Sequence, residues 1–418
     1  MKAKKIGNSK IRISSLGILY VLTMVYAELF QAGIIGGYYL TSFIVALFWF
    51  VVGIAHYQRL GDKDRFFYNN KKIIKLLLFP WIIFIIYNFI IYLYGIAYFP
   101  FMKSSFIQIT WTPIIILGAL GAYFVFGKNT LRYFLYSVFI CYVITLLYEL
   151  FNLGVSEFVK GVMTIFSGNS MGNAFEANSD MLLGLGLLGI FYFDTFIKEK
   201  KGYQNHGIII LLLVLLGGKR IEWLALLGML LASCVTGLIK EKRRNILQNI
   251  ISSFIIIGIF VFIYLVVNRI LSVYVYAHGI DTMGRIKMWD YISQYAKFDF
   301  SYLGKGYSFS NLMLEQARVH VYQGHTYALH SDILKIYVDL GFVSLLFWSI
   351  YNLLVFPKLI RKRYGYKIAN LSWFLIVFLV ILYFTDNAIN YFITQTIFCY
   401  VLFEAVRLNK DSSFTVTL

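Results

Sequence analysis

The sequence has 418 residues, 60% of them hydrophobic and only 14% charged, with a mean hydropathy of +0.72. So little polar side chain cannot clothe a water-facing surface, which excludes a soluble globular domain and leaves an all-α, polytopic membrane protein. The net charge of +18 comes from short basic clusters between apolar runs, the pattern of topology signals, and it argues against a nucleic-acid partner.

A helix needs roughly 20 apolar residues to cross the hydrocarbon core, and about twelve runs meet that measure. They lie near 14–33, 35–56, 73–96, 107–127, 132–152, 180–197, 203–218, 221–239, 247–268, 331–356, 369–386 and 390–406. The N-terminal MKAKKIGNSKIR leads straight into the first run without a small-residue cleavage site, so the first helix is expected to stay in the membrane. Placing the N-terminus inside puts RLGDKDRFFYNNKKIIK, GKNTLR, KEKK, KEKRR, PKLIRKRYGYK and RLNK on the cytoplasmic side. This asymmetry predicts both termini inside and the connection 269–330 outside. The whole chain reads as one integral membrane domain, 1–418, with 269–330 as its long extracytoplasmic loop.

The segment between KEKK and GGKR holds only ten strongly apolar residues, Gly207 to Leu216. Ten helical residues cover roughly 15 Å, half a bilayer. Lys219 and Arg220 are therefore expected below the outer surface, facing water or an anionic partner. The connection GVSEFVKGVMTIFSGNSMGNAFEANSD is rich in Gly, Asn and Ser and reads as a lid or cavity wall. Within 269–330, MGRIKMWDYISQYAKF spaces Ile286, Trp289, Ile292 and Ala296 as on a helix, suggesting one that lies on the membrane surface. SYLGKGYSF follows as a turn presenting Lys305, and NLMLEQARV as a further short helix.

The chemistry is expected where this loop re-enters the membrane, in GHTYALHSDILKIYVDLG. Four of the six histidines, His278, His320, His325 and His330, lie in or bound the loop. His330 stands at the mouth of an apolar helix, where an imidazole can serve as general base for a sugar hydroxyl; a helix cap or interface residue is the alternative. Asp332, Lys335 and Asp339 share one face of that helix and either stabilise it or orient His330. Arg220 opens a helix whose free N–H groups favour an anion, and its guanidinium suits a diphosphate. A snorkelling interfacial residue, or an ion pair with Glu222, is the competing reading. Arg285 offers a second phosphate contact or is a solvated cation.

No HExxH, Walker-type glycine loop or cysteine–histidine cluster is present, and Cys141, Cys234 and Cys399 all fall inside apolar runs as packing residues. A metal-independent, cofactor-free reaction on an anionic, lipid-borne substrate remains.

The order GGKRIEWLALL, GRIKMWD, LGKGYS and HSDILKIYVDLGFVSLLFW resembles the O-antigen ligase and Wzy-type polymerase superfamily. Its members carry a small-residue-plus-arginine helix start, an R-x-x-x-W loop element and a histidine-led helix with a later glycine. The resemblance covers the chain from residue 217 onward; the N-terminal half matches only in hydropathy. Ser331 follows the histidine where the family commonly has asparagine, and Lys219 stands where a small residue is usual. The resemblance implies a GT-C-like glycosyltransferase acting outside the bacterial cytoplasmic membrane, with an undecaprenyl-diphosphate-linked glycan as donor and another as acceptor. It makes His330 the base and Arg220 and Arg285 the diphosphate ligands, with Lys219, Lys305 and Asp332 in support, and it implies a flippase and a chain-length regulator as partners. A sequence rich in Lys, Ile, Asn, Phe and Tyr, as in capsule loci of AT-rich bacteria, favours a polymerase of repeat units. Ligase-type transfer to another acceptor, or a flippase or transporter of lipid-linked oligosaccharide, are the alternatives.

Overall fold

The computed structural model describes residues 14–36, 40–59, 65–100, 103–164, 179–194, 197, 206–217, 219–280, 282, 284–317 and 329–413. Among these, every regular element is helical, and each expected span overlays a helix. The first nine are α1 Ser15–Gln31, α2 Thr41–Arg59, α3 Arg65–Leu93, α4 Lys103–Phe126, α5 Thr130–Thr164, α6 Ser179–Phe193, α7 His206–Leu216, α8 Arg220–Gly237 and α9 Glu241–Val267. The loop contributes α10 Ile270–Ala277, α11 Arg285–Ser293 and α12 Phe309–Gln316. The chain then forms α13 Asp332–Ile350, a π-turn at Tyr351–Val355, α14 Phe356–Tyr364, α15 Tyr366–Tyr383 and α16 Phe392–Ser413. Among the described residues, six stretches can cross a membrane by length and composition, one of which, Ser105–Lys160, takes in most of both α4 and α5; α1, α2, α6 and α7 are shorter and apolar.

Hydropathy alone does not say which helices face lipid, and here they divide sharply. The windows of α13 and α15 are 78% buried within the protein, whereas that of α9 is 22% buried. With α6 and the apolar part of α16, which are also buried, they form the core that the other helices enclose. Lipid is as apolar as leucine, so such helices associate through close packing of small residues and through buried hydrogen bonds. Both devices are present. Gly118 and Gly121 of α4 lie so near Ala46, Trp49 and Gly53 of α2 that a Cβ on Gly121 would stand 2.2 Å from the Trp49 carbonyl. Asp180, at the start of α6, accepts the backbone N–H groups of Ile393 at 2.9 Å and Thr394 at 2.8 Å, and so caps α16.

The loop from 269 onward differs from its expected form in two places. The helix expected on the membrane surface ends at Ser293, before Ala296, and Ile286, Trp289 and Ile292 are buried against protein. Its apolar stripe packs against α9, where Phe262 meets Trp289, and the Trp289 indole reaches the Leu329 carbonyl, so no lipid face remains for it to seek. The expected lid is partly helical, because α5 continues past a left-handed kink at Gly154 (φ 77°) to Thr164; residues 165–178 lie outside the described residues, as do His320 and His325.

The LGKGYS turn is fixed by backbone instead of side chains. The N–H of Gly306 donates to the Asp339 carbonyl at 2.9 Å, and that of Phe342 to the Tyr302 carbonyl at 2.9 Å. The crossing demands glycine on both sides. A Cβ on Gly304 (φ +91°) would stand 2.5 Å from the Asp339 carbonyl oxygen, and one on Gly341 (φ +80°) 2.3 Å from that of Tyr302. The glycine expected late in the histidine-led helix is thus the point where the loop docks.

Candidate functional site

Ser331 starts α13 well: its backbone is extended, and its hydroxyl accepts the Leu334 N–H at 3.3 Å. Serine is among the strongest N-cap residues, so it does the capping work an asparagine would. His330, just before it, is left-handed with φ 49°. Non-glycine residues hold that conformation at a cost of order 1–3 kcal/mol, which surrounding contacts must outweigh.

Those contacts come from three other parts of the chain. Trp289 donates its indole N–H to the Leu329 carbonyl at 2.9 Å. Arg285 and Trp289 are four residues apart on α11 and share a face. The R-x-x-x-W element therefore acts as a unit: the tryptophan anchors the segment carrying His330, and the arginine's charge reaches the imidazole. On the opposite side, the turn after α15 brings Asp386, whose carbonyl accepts the Asp332 N–H at 3.1 Å. The Asp386 carboxylate pairs with the Lys219 ammonium at 2.5 Å, with side chains only 4% and 7% exposed. Its other oxygen accepts Tyr391 O–H at 2.6 Å and the Asn387 N–H at 2.9 Å. Lys219 directly precedes α8, so the starts of α8, α11 and α13 meet around His330.

Burial lowers the His330 pKa below the usual imidazole value; Asp386 pulls it up, and Arg285 and Lys219 push it down. Burial alone would raise Asp386, but Lys219, Tyr391 and the Asn387 N–H together hold its carboxyl below the usual range. The result is a largely neutral imidazole, half-buried, beside a lysine–aspartate pair and a guanidinium. Such a group can take a proton from a hydroxyl while the cations hold a phosphate-bearing group close by.

The residues singled out from sequence fall into three positions. Arg285 and Lys219 act on His330, and Lys219 has the anionic partner its depth required. Arg220 begins α8 with its side chain exposed, and Glu222 is buried with neither oxygen hydrogen-bonded among the described residues. No bond joins that pair, so the expected Arg220–Glu222 alternative is not what the structure forms. Asp332 sends Oδ2 to the Ile389 N–H at 2.7 Å, Lys335 lies 5.2 Å above the Tyr307 ring, and Asp339 accepts the N–H groups of Ser308 and Ser310 at 2.8 and 2.9 Å. The acidic stripe on α13 thus ties the helix to two neighbouring turns. Lys305 is held through its own backbone, with N–H to Asp339 and C=O to the Tyr98 N–H. Asp386 escaped the sequence reading because YFTDNAIN offers no motif, only the end of an apolar run. Among the described residues, no three His, Cys, Asp or Glu side chains gather as a metal-holding group.

A family model described as O-antigen ligase matches residues 207–349. The match runs from α7 to the end of α13 and contains Lys219, Arg220, Arg285 and His330, whereas Asp386 lies beyond it. No curated protein matches the chain. With this segment supplying three of the four groups at the site, the all-α chain carries, over 207–349, a stretch similar to the O-antigen ligase family.

Proposed function

We propose that the protein polymerises undecaprenyl-diphosphate-linked oligosaccharide repeat units on the outer face of the bacterial cytoplasmic membrane. The observation that carries this reading is His330 standing at the meeting of three helix starts, with Arg285 and Lys219 acting on it. Helix N-termini and fixed cations favour an anionic group, and a neutral imidazole between them favours loss of a hydroxyl proton.

In the reaction, a hydroxyl of the acceptor glycan attacks C1 of the donor sugar, and the C1–O bond to the diphosphate breaks. His330 takes the hydroxyl proton and later returns it to water. Undecaprenyl diphosphate leaves with both electrons of the broken bond, its charge matched by Arg285 and, from the open rim, by Arg220 at the uncapped start of α8. Lys219 is held by Asp386 and sets the field around the imidazole. Charge on the leaving group is carried by side chains, so transfer is expected to proceed in chelator.

The test uses purified protein with a lipid-linked repeat in EDTA. His330→Ala should lower transfer by about 10²–10⁴-fold while donor binding stays near normal. Arg285→Lys should retain part of the activity and Arg285→Ala far less, since lysine keeps the charge and loses the planar fork. Normal chain extension by His330→Ala, or activity restored only by magnesium or manganese, would overturn the reading. Transfer of a single preassembled chain to a non-identical acceptor, without extension of repeats, would favour ligase-type transfer.

A further inference from the structure

A groove of about 600 Å³ lies far from His330, between the first half of α3 and the stretch formed by α13, the π-turn and α14. That is within the roughly 300–1,000 Å³ of ligand-sized clefts. Its wall is apolar, with Phe79, Val343, Phe347 and Ile350, and two cations, Lys75 and Arg363, stand among the lining residues; no acid does. Phe79, Val343 and Ile350 are 42%, 52% and 37% exposed, so the groove opens on the outside of the helix bundle, where lipid lies. Its floor is tied down by the Tyr351 hydroxyl, which donates to the Leu76 carbonyl at 2.8 Å beside the π-turn.

The position of the cations decides what can occupy it. From His330 to Arg363 the chain is helical apart from a kink at Gly341 and the π-turn, and at 1.5 Å per residue this path spans up to about 50 Å. That is enough for the roughly 40–45 Å from headgroup to headgroup of a bilayer. Lys75 and Arg363 therefore stand at the membrane face opposite His330 and cannot share a diphosphate with it. A molecule that places an apolar chain along Val343, Phe347 and Ile350 and an anion at that face is a phospholipid. Exposed Lys358 and Lys362 on α14 add positive charge at the same end, and surface cations of this kind attract anionic headgroups at about fivefold in affinity each.

We infer that this groove is a binding site for an anionic phospholipid of the leaflet opposite His330, one acyl chain in the groove and the headgroup phosphate between Lys75 and Arg363. The site is separate from the transfer chemistry, and its test reads lipid binding alone. Purified protein would be reconstituted in vesicles of phosphatidylcholine containing a few per cent of spin-labelled phosphatidylglycerol, or of spin-labelled phosphatidylcholine as reference. The fraction of label immobilised on the protein would be compared among the wild type, Lys75→Gln/Arg363→Gln and Val343→Trp/Ile350→Trp.

The wild type should prefer phosphatidylglycerol by roughly tenfold or more, and the double glutamine variant should lose most of that preference. The double tryptophan variant should lose it too, by filling the groove. All four side chains are exposed, and an unchanged melting temperature in pure phosphatidylcholine establishes that each variant is folded. A preference kept by the glutamine variant overturns the headgroup assignment. One lost only in the glutamine variant means a surface charge without a chain site, and so does competition by glycerol phosphate as strong as by the intact lipid. Displacement by undecaprenyl diphosphate more effective than by phosphatidylglycerol would assign the groove to substrate and likewise overturn the inference.

Discussion

The Lys219–Asp386 pair sets the environment of His330, and its worth can be worked from its geometry. The two side chains are 7% and 4% exposed and 2.5 Å apart, so solvent screens them little. Removing one partner of such a pair leaves an uncompensated buried charge, at a cost of about 3–5 kcal/mol. Asp386→Asn keeps an oxygen for Tyr391 and the Asn387 N–H, which are bonded to Oδ1, and sets an amide N–H against the ammonium. Lys219→Met leaves Oδ2 without its cation. Were the two sites independent, the double variant would lose the sum, roughly 6–10 kcal/mol. With the pair removed as a unit, only the amide N–H is unsatisfied, for about 1–3 kcal/mol. Equilibrium unfolding in detergent micelles, followed by circular dichroism, should therefore give a coupling of at least about 3 kcal/mol between the two substitutions. Additive losses, or single variants within about 1 kcal/mol of wild type, would mean that water reaches the pair as it does on a surface, and the account of the site would fail.

Because burial lowers the His330 pKa, transfer should rise with pH along a single acid limb whose midpoint lies below about 6.5 and should be flat above it. A midpoint above about 7 in kcat would refute the burial argument. The same shift makes the unfolded chain bind the proton more tightly, so His330 should add stability as pH rises through that window and nothing beyond about 6.5; His330→Asn should remove this slope. Gly341→Ala should destabilise by more than the roughly 1–3 kcal/mol of left-handed strain, since its Cβ also meets the Tyr302 carbonyl. The matched Gly258→Ala in α9, where a Cβ meets nothing, should be neutral or stabilising by up to about 1 kcal/mol in the same unfolding measurement.

Much of this architecture is written locally. A run of about 20 apolar residues becomes a helix whatever its partners, which is why the spans were legible. The spacing of Arg285 and Trp289 was legible too, because an i, i+4 pair acts within a few residues of itself, whereas the cap supplied by Ser331 was not read. What could not be read were relations set by packing. Whether Lys219 or Arg220 turns inward depends on about 100° of rotation at the start of α8, and nothing in GGKR fixes that angle. Asp386 meets Lys219 only after α15 has crossed the core. The stripe of Asp332, Lys335 and Asp339 was correctly placed on one face, yet Asp332 bonds to the turn before α16 while Lys335 and Asp339 meet the turn before α12, so a shared face did not mean a shared task. The surface helix was misread because an amphipathic stripe looks the same whether lipid or protein covers it.

The glycine crossing between the LGKGYS turn and α13 also limits how the protein can move. Two backbones in contact without side chains between them leave no slack for one to slide along the other, as shear between packed helices requires. Loop and helix must travel as one stiff part, carrying Asp339 and the start of α12 along. Whatever admits the proposed lipid-linked substrate to His330 has to yield elsewhere in the bundle, and the histidine keeps a fixed bearing while it does.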